Sequence, residues 1–381
     1  MSGRQRHTEP VDVHLILRRE TADGSQVLLS RRAGPVYATG LWHLPSGHLD
    51  GPHEDVVTAL IREAREETGV VIDPADVRAA VTVHHRSPGG ASRTGHFFEV
   101  RQWKGEPRIA EPDVCDAMDW SPLHALPVGM VAYCRAGLDA YSAGAHLALH
   151  FQLPGDAIAF DPGADRLRLV PDVTGGTVTS TEAAPLYRTL GFSGNPAPMR
   201  MIRHRQPGVA AGGARPDSTW VPPQEYADSL PRAAAFVCLY VTDEDDRPLQ
   251  LHSVYSPGHP WHMIGGAMDP GERPWDAVVR ECREETGMTA VGRPRLLATV
   301  YGQPRAQRPY STLQLVFDGG RLTDAQIRGL TLNAREHDEA RVLPLEQWQA
   351  LMPARDFARL RAVEEARRTG VAAYVDTWGN A

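Results

Sequence analysis

One seventeen-residue pattern occurs twice in this chain. Residues 54–70 read EDVVTALIREAREETGV and residues 272–288 read ERPWDAVVRECREETGM, at a constant offset of 218. Just upstream, WHLPSGHLDG at 42–51 parallels WHMIGGAMDPG at 261–271, at an offset of 219. The first copy thus carries one extra loop residue before its glutamate. A repeat this far apart is not the period of a solenoid but the mark of a duplicated domain. It limits 381 residues to two copies of one fold and a connection between them.

The surroundings repeat as well. Each copy is preceded by two β-like runs, at 11–19 and 26–32 in the first half and at 233–241 and 248–254 in the second. Each is followed by two more, at 78–85 and 96–103, and at 295–302 and 311–318. WSPLHALP at 120–127 or VLPLEQW at 342–348 closes each copy, followed by a helical tail. Short strands mixed with a few helices give an α/β (α+β) class, a mixed sheet flanked by helices. The expected domains are 1–151 and 222–381. The intervening 152–221 is read as a partly structured linker, with room for a hairpin at 155–172. Its Gly/Pro/Ala-rich stretch at 207–218 predicts a cut that leaves two folded fragments. Residues 181–192 vaguely resemble a turn of GNAT-type acetyltransferases, but no cofactor-binding loop accompanies them.

Composition narrows the partners. The formal net charge is −7 and no long Lys/Arg run appears, which argues against a long nucleic acid as main partner. The four cysteines, Cys115, Cys134, Cys238 and Cys282, form no CxxC pair, so neither a zinc site nor a disulfide framework is expected. The first residues lack the apolar core of a signal peptide, and no stretch is long enough for a membrane span. A cytoplasmic setting is the simplest expectation.

The chemistry lies on the repeated helix. Glu63, Glu66 and Glu67 stand at i, i+3 and i+4 and share one face, as do Glu281, Glu284 and Glu285. Val57, Leu60, Ile61 and Ala64, and in the second copy Trp275, Val278, Val279 and Cys282, form the stripe that buries another face. Asp55 stands at the expected N-cap and Pro274 at the first helical position, with Gly69 and Gly287 at the ends. Three carboxylates on one face repel each other and require a cation. One such helix would be read as a solvated acidic face. Recurrence at identical spacing, each time with an arginine, a glycine loop and an upstream glutamate, favours a hard divalent cation facing phosphate oxygens.

Gly266, Glu272 and the run Arg280-Glu281-Cys282-Arg283-Glu284-Glu285-Thr286-Gly287-Met288 resemble a complete Nudix box. The first copy, Gly47, Glu54 and the run from Arg62 to Val70, is similar, with six residues rather than five between Gly47 and Glu54. The resemblance implies a Nudix α/β/α sandwich for each half. It also implies a Mg²⁺- or Mn²⁺-dependent pyrophosphatase that cleaves a nucleoside diphosphate linked to another group. It would place the metal on Glu63, Glu66 and Glu67, and on Glu281, Glu284 and Glu285, with Glu63 or Glu281 as ligand or general base. Arg62 and Arg280 would orient these carboxylates. Gly47, Glu54, Gly69, Gly266, Glu272 and Gly287 would support them, and main-chain carbonyls at Ser46 and Gly265 would complete the coordination. A base outside the box is the alternative, at Glu111 in the first half and at Glu336 or Glu339 in the second.

The partner implied is a small diphosphate compound, and a pseudo-dimer within the chain or a homodimer remains open. So does a chain in which one copy is catalytic and the other regulatory. The prenyl-diphosphate isomerase branch of the fold needs a cysteine–glutamate pair across the cleft, whereas Cys282 lies on an apolar stripe. His84, His85 and His96, Trp42 and Trp261, and Phe97, Phe98, Tyr301 and Tyr310 are candidates for substrate contact, with packing as the default for each.

Overall fold

The computed structural model describes residues 7–51, 54–164, 166–170, 199–203, 230–290, 294–304 and 309–376. The segments at 181–192 and 207–218 lie outside these residues. No described helix is long and apolar enough to cross a membrane.

The first repeat runs β1 (Thr8–Thr21), β2 (Gly24–Arg32), β3 (Trp42–His43), β4 (Ser46–His48), α1 (Val56–Thr68), β5 (Val77–Arg86), β6 (Ser92–Val100), β7 (Cys115–Pro122), α2 (Ala132–Ala143) and β8 (Leu147–Phe151). Two short strands follow, β9 (Leu167–Val170) and β10 (Arg200–Arg203). The second repeat runs β11 (Arg232–Thr242), β12 (Leu249–Ser253), β13 (Trp261–His262), β14 (Ile264–Ala267), α3 (Pro274–Thr286), β15 (Leu296–Gly302) and β16 (Ser311–Arg321). It ends with α4 (Asp324–Arg328), β17 (His337–Val342), α5 (Leu345–Trp348), α6 (Ala354–Thr369) and β18 (Ala373–Asp376).

Pairing repeats with the order. β1 lies parallel to β6 and antiparallel to β4, as β11 lies against β16 and β14. β5 and β15 run antiparallel to β6 and β16, and parallel to β8 and β18. Alternation along the first strand of each repeat makes three layers. Val11, Val13, Leu15 and Leu17 pack with Val57, Leu60 and Ala64 of α1. Between them, Asp12 and His14 turn the other way and meet Tyr133 of α2. In the second repeat Val237 and Leu239 cluster with Val278 and Cys282 of α3, while Cys238 and Tyr240 cluster with Leu360 and Val363 of α6. Each repeat is therefore an α/β/α sandwich, with the repeated helix on one face of its sheet.

Of the segment read as linker, the described residues 152–164, 166–170 and 199–203 are divided between the repeats. β9 forms a hairpin with β8, and β10 pairs parallel with β18. Met199 N–H also donates to Ala79 O at 2.8 Å, so this short stretch touches both repeats.

The repeats meet through equivalent residues. β1 and β11 pair antiparallel, Glu9 opposite Ala233, which extends both sheets into one. Thr82 and Thr299, which hold the same register position in β5 and β15, hydrogen-bond to each other at 3.1 Å between their hydroxyls. Tyr374 packs edge-on against Phe98 at 5.6 Å and His96 at 5.7 Å between ring centroids. The α1-side face of β5 and β6 is thus covered by the other repeat. Val57, Leu60, Phe98, Val278, Leu315 and Tyr374 belong to one continuous buried cluster. Linker composition led to the expectation of two separable bodies. Strand faces remote in sequence bring the halves into contact.

Candidate active site

Each repeated helix begins and ends as its caps require. The Asp55 carboxylate accepts from Val57 N–H at 2.9 Å and Thr58 N–H at 3.0 Å, and Gly69 takes φ 72° at the C-terminus. α3 opens on Pro274 and closes on Gly287 at φ 70°. The buried stripe fixes the helix's rotation, and this turns the glutamates toward the β4 or β14 turn.

In the first repeat one guanidinium organises the cluster. Arg62 donates through Nε to Glu54 Oε1 at 2.9 Å and through Nη2 to Glu54 Oε2 at 3.0 Å, a bidentate pair. Its Nη1 reaches Glu63 Oε1 at 2.7 Å and Glu66 Oε2 at 3.1 Å, and Nη2 also donates to His48 O at 2.8 Å. Glu67 accepts from Ser46 N–H at 3.0 Å. Burial, with Glu63 beside it, pushes the Glu67 carboxyl up to about 8.

The second repeat is built the same way. Arg280 bonds both oxygens of Glu272 at 2.9 Å, Glu281 Oε1 at 2.6 Å, Glu284 Oε2 at 3.3 Å and Ala267 O at 2.9 Å. Gly265 N–H donates to Glu285 Oε2 at 2.8 Å. Burial, reinforced by Glu285 and opposed by Arg280, pushes Glu281 up to about 7. The extra loop residue of the first copy leaves the arginine–glutamate brace unchanged.

Gly47 and Gly266 are required by close approach. A Cβ on Gly47 would lie 2.0 Å from Glu63 Cδ, and one on Gly266 would lie 2.5 Å from Glu281 Cδ. Each glycine lets a glutamate carboxylate lie against the backbone of the turn. In each repeat one arginine bonds three carboxylates and the turn N–H bonds a fourth. The donors are hard oxygens and the carboxylates outnumber the arginine that braces them, which fits a divalent cation.

The two clusters differ at one strand position. Cys115 and His337 occupy equivalent places: Cys115 pairs with Arg32 and donates its N–H to Glu111 O, and His337 pairs with Ser253 and donates to Asn333 O. His337 is fully buried, and its Nε2 lies 2.9 Å from Glu285 Oε1. Burial opposes a charge on the ring, but contact with Glu285 overrides it and raises the imidazole's proton affinity. Cys115 instead points its thiol at Ala117 O, 3.3 Å away. Neither residue was singled out in the sequence. The signal was available in the register of β7 against β17, but both strands are too polar to be read from apolar alternation.

Of the glutamates outside the box, Glu336 groups with Glu285 and His337, the ligand atoms of all three lying within 4.8 Å of one another. Glu339 is paired with Arg341 instead. Glu111 lies close enough to Glu67 to raise its proton affinity. The histidine candidates face other partners: His84 bonds Glu9 at 3.0 Å, His85 bonds His150 at 3.1 Å, and His96 lies at the contact between repeats. Phe97, Phe98, Tyr301 and Trp261 are buried core residues, while Trp42 and Tyr310 are half-buried. Cys282 is wholly buried beside Thr286, in the cluster under its helix.

The NUDIX domain family model matches residues 8–137 and 231–363. Among solved structures, a MutT NUDIX hydrolase from Burkholderia pseudomallei is similar at 27% identity; the match covers 34% of this chain and 96% of that one, with a TM-score of 0.31. A MutT protein from Methanosarcina mazei Go1 matches at 25% identity, covering 36% and 95%, with a TM-score of 0.29. A C. elegans Ap4A hydrolase in a binary complex matches at 23% identity, covering 36% and 99%, with a TM-score of 0.29.

Proposed function

The chain belongs to the NUDIX domain family through both of its repeats, and from that premise we propose that it is a divalent-metal-dependent hydrolase with two catalytic sites, each cleaving a diphosphate linkage in a nucleotide-derived small molecule. The observation that carries this reading is the duplicated brace. Arg62 and Arg280 bond the equivalent three carboxylates, and the fourth accepts from the N–H of the same kind of glycine turn.

Glu63, Glu66 and Glu67 would hold Mg²⁺ or Mn²⁺ in the first site, and Glu281, Glu284 and Glu285 in the second. When bound, the ion supplies charge neutralisation at phosphate oxygens and acidifies a coordinated water. The protein's own contribution is positioning and proton transfer. Arg62 fixes the Glu63 carboxylate through a charge-assisted bond to one of its oxygens. Glu63 or Glu281, or the loop carboxylates Glu111 or Glu336, take the proton as water oxygen bonds to phosphorus. The bridging P–O bond then breaks, and the leaving phosphate carries the electron pair away. Burial raises the proton affinity of Glu281 when no cation is held there.

The test is a panel of nucleoside triphosphates, nucleotide sugars, dinucleoside polyphosphates and ADP-ribose, assayed with Mg²⁺, with Mn²⁺ and in excess EDTA. Metal-dependent turnover of at least one compound is expected. Full turnover in EDTA would refute the metal assignment.

A further inference from the structure

The second cluster holds a nitrogen donor where the first has none. His337 Nδ1 lies 3.3 Å from His252 O. A carbonyl can only accept, so the ring proton of the neutral imidazole belongs on Nδ1 and the Nε2 lone pair faces Glu285 Oε1 at 2.9 Å. That contact then calls for a positive charge, either a second ring proton or a cation held by both groups. Metal-bound histidines commonly donate their other ring N–H to a carbonyl in this way. Two donors each about 2.1 Å from one ion, at a right angle, lie about 3 Å apart, close to the separation seen. Glu336 supplies a third donor in the same group, and among the described residues no other histidine joins such a group.

We propose that His337 is a direct ligand of the divalent cation in the second site, together with Glu285 and Glu336, so that this site selects a transition ion such as Co²⁺ over Mg²⁺ while the first site binds through oxygen alone. The inference rests on the reading of each box as a metal site. Imidazole nitrogen discriminates against Mg²⁺, which demands hard oxygen ligands, and binding rises from Mn²⁺ to Co²⁺ along the first transition row. The first site lacks this contribution because the Cys115 thiol is directed to Ala117 O.

The experiment is titration of the full chain with Co²⁺, followed by proton NMR for hyperfine-shifted resonances that exchange with solvent. A histidine bound through Nε2 keeps its Nδ1–H, so one such resonance is expected. It should be lost in His337→Asn and His337→Gln, with circular dichroism checking that each variant is folded. In the same variants the preference of one site for Co²⁺ over Mg²⁺ should fall at least tenfold, while the other site is unchanged. Tight Co²⁺ binding with no exchangeable shifted resonance in the unmodified chain overturns the proposal and leaves the metal reading intact; His337 would then only be ion-paired with Glu285. That result counts even if both variants fail to fold. No Co²⁺ or Mg²⁺ binding at either site overturns both.

Discussion

Replacing Gly47 with alanine tests whether carboxylate placement, rather than carboxylate presence, governs the first site. The added Cβ would lie 2.0 Å from Glu63 Cδ and 2.2 Å from its Oε1. Ordinary carbon contacts lie near 3.5 Å, so the carboxylate must withdraw by about 1.5 Å. Gly47 has no positive φ, so backbone strain does not enter. The displacement breaks the 2.7 Å bond from Arg62 Nη1 and removes Glu63 from its place in the cluster. A 1 Å error in such a site costs about 10²-fold in rate, about 3 kcal/mol in the barrier. Gly47→Ala should therefore lower the first site's kcat/KM by about 10²-fold or more, measured in a Glu284→Gln background that silences the second site. Gly266→Ala, whose nearest clash is 2.5 Å, should cost less in the reciprocal background. If Gly47→Ala retains activity within about threefold at all metal concentrations, the close packing of Glu63 on the turn is not what organises the site.

Two further outcomes follow from packing and charge. Tyr374→Ala removes a fully buried ring that packs against Phe98 and His96 of the other repeat. It should destabilise the whole chain by about 3–5 kcal/mol, read as a lowered midpoint of a single denaturant transition. Separate unfolding of two halves would contradict the shared core. Glu67, whose carboxyl is pushed up to about 8 when no metal is bound, binds a proton in the folded chain at pH values where the unfolded chain has lost it. Metal-free stability should accordingly fall as pH rises from about 4.5 to about 8. Glu67→Gln should flatten that slope, and Mg²⁺ should stabilise more at pH 8 than at pH 5; a slope unchanged by Glu67→Gln would refute the assignment.

Much of the site was legible in the sequence because its determinants are local. Helix periodicity places Glu63, Glu66 and Glu67 on one face, and Asp55 and Gly69 mark the helix ends from their residue types alone. The role of Arg62 as a brace could be read from its recurrence as Arg280. His337 and Cys115 could not, because they reach the cluster from a strand more than fifty residues away or from one nearly fifty away, through β-register that spacing does not reveal. The contact between repeats was hidden for another reason. Thr82, His96 and Phe98 alternate as any half-buried strand residues do, and alternation does not say whether a helix or a second sheet covers the face. Linker composition carries no information about the faces on either side of it.

The central claim is that each repeat is a separate metal-dependent catalyst. Its most direct test compares the unmodified chain with Glu66→Gln, Glu284→Gln and the double variant on the diphosphate panel in Mg²⁺. Each substitution keeps side-chain size and removes one ligand charge from one cluster, which should slow that site by roughly 10²–10⁴-fold. Each single variant is expected to lose only one component of the activity, and the double variant to lose both. A double variant that turns over any substrate at the unmodified rate would contradict the account.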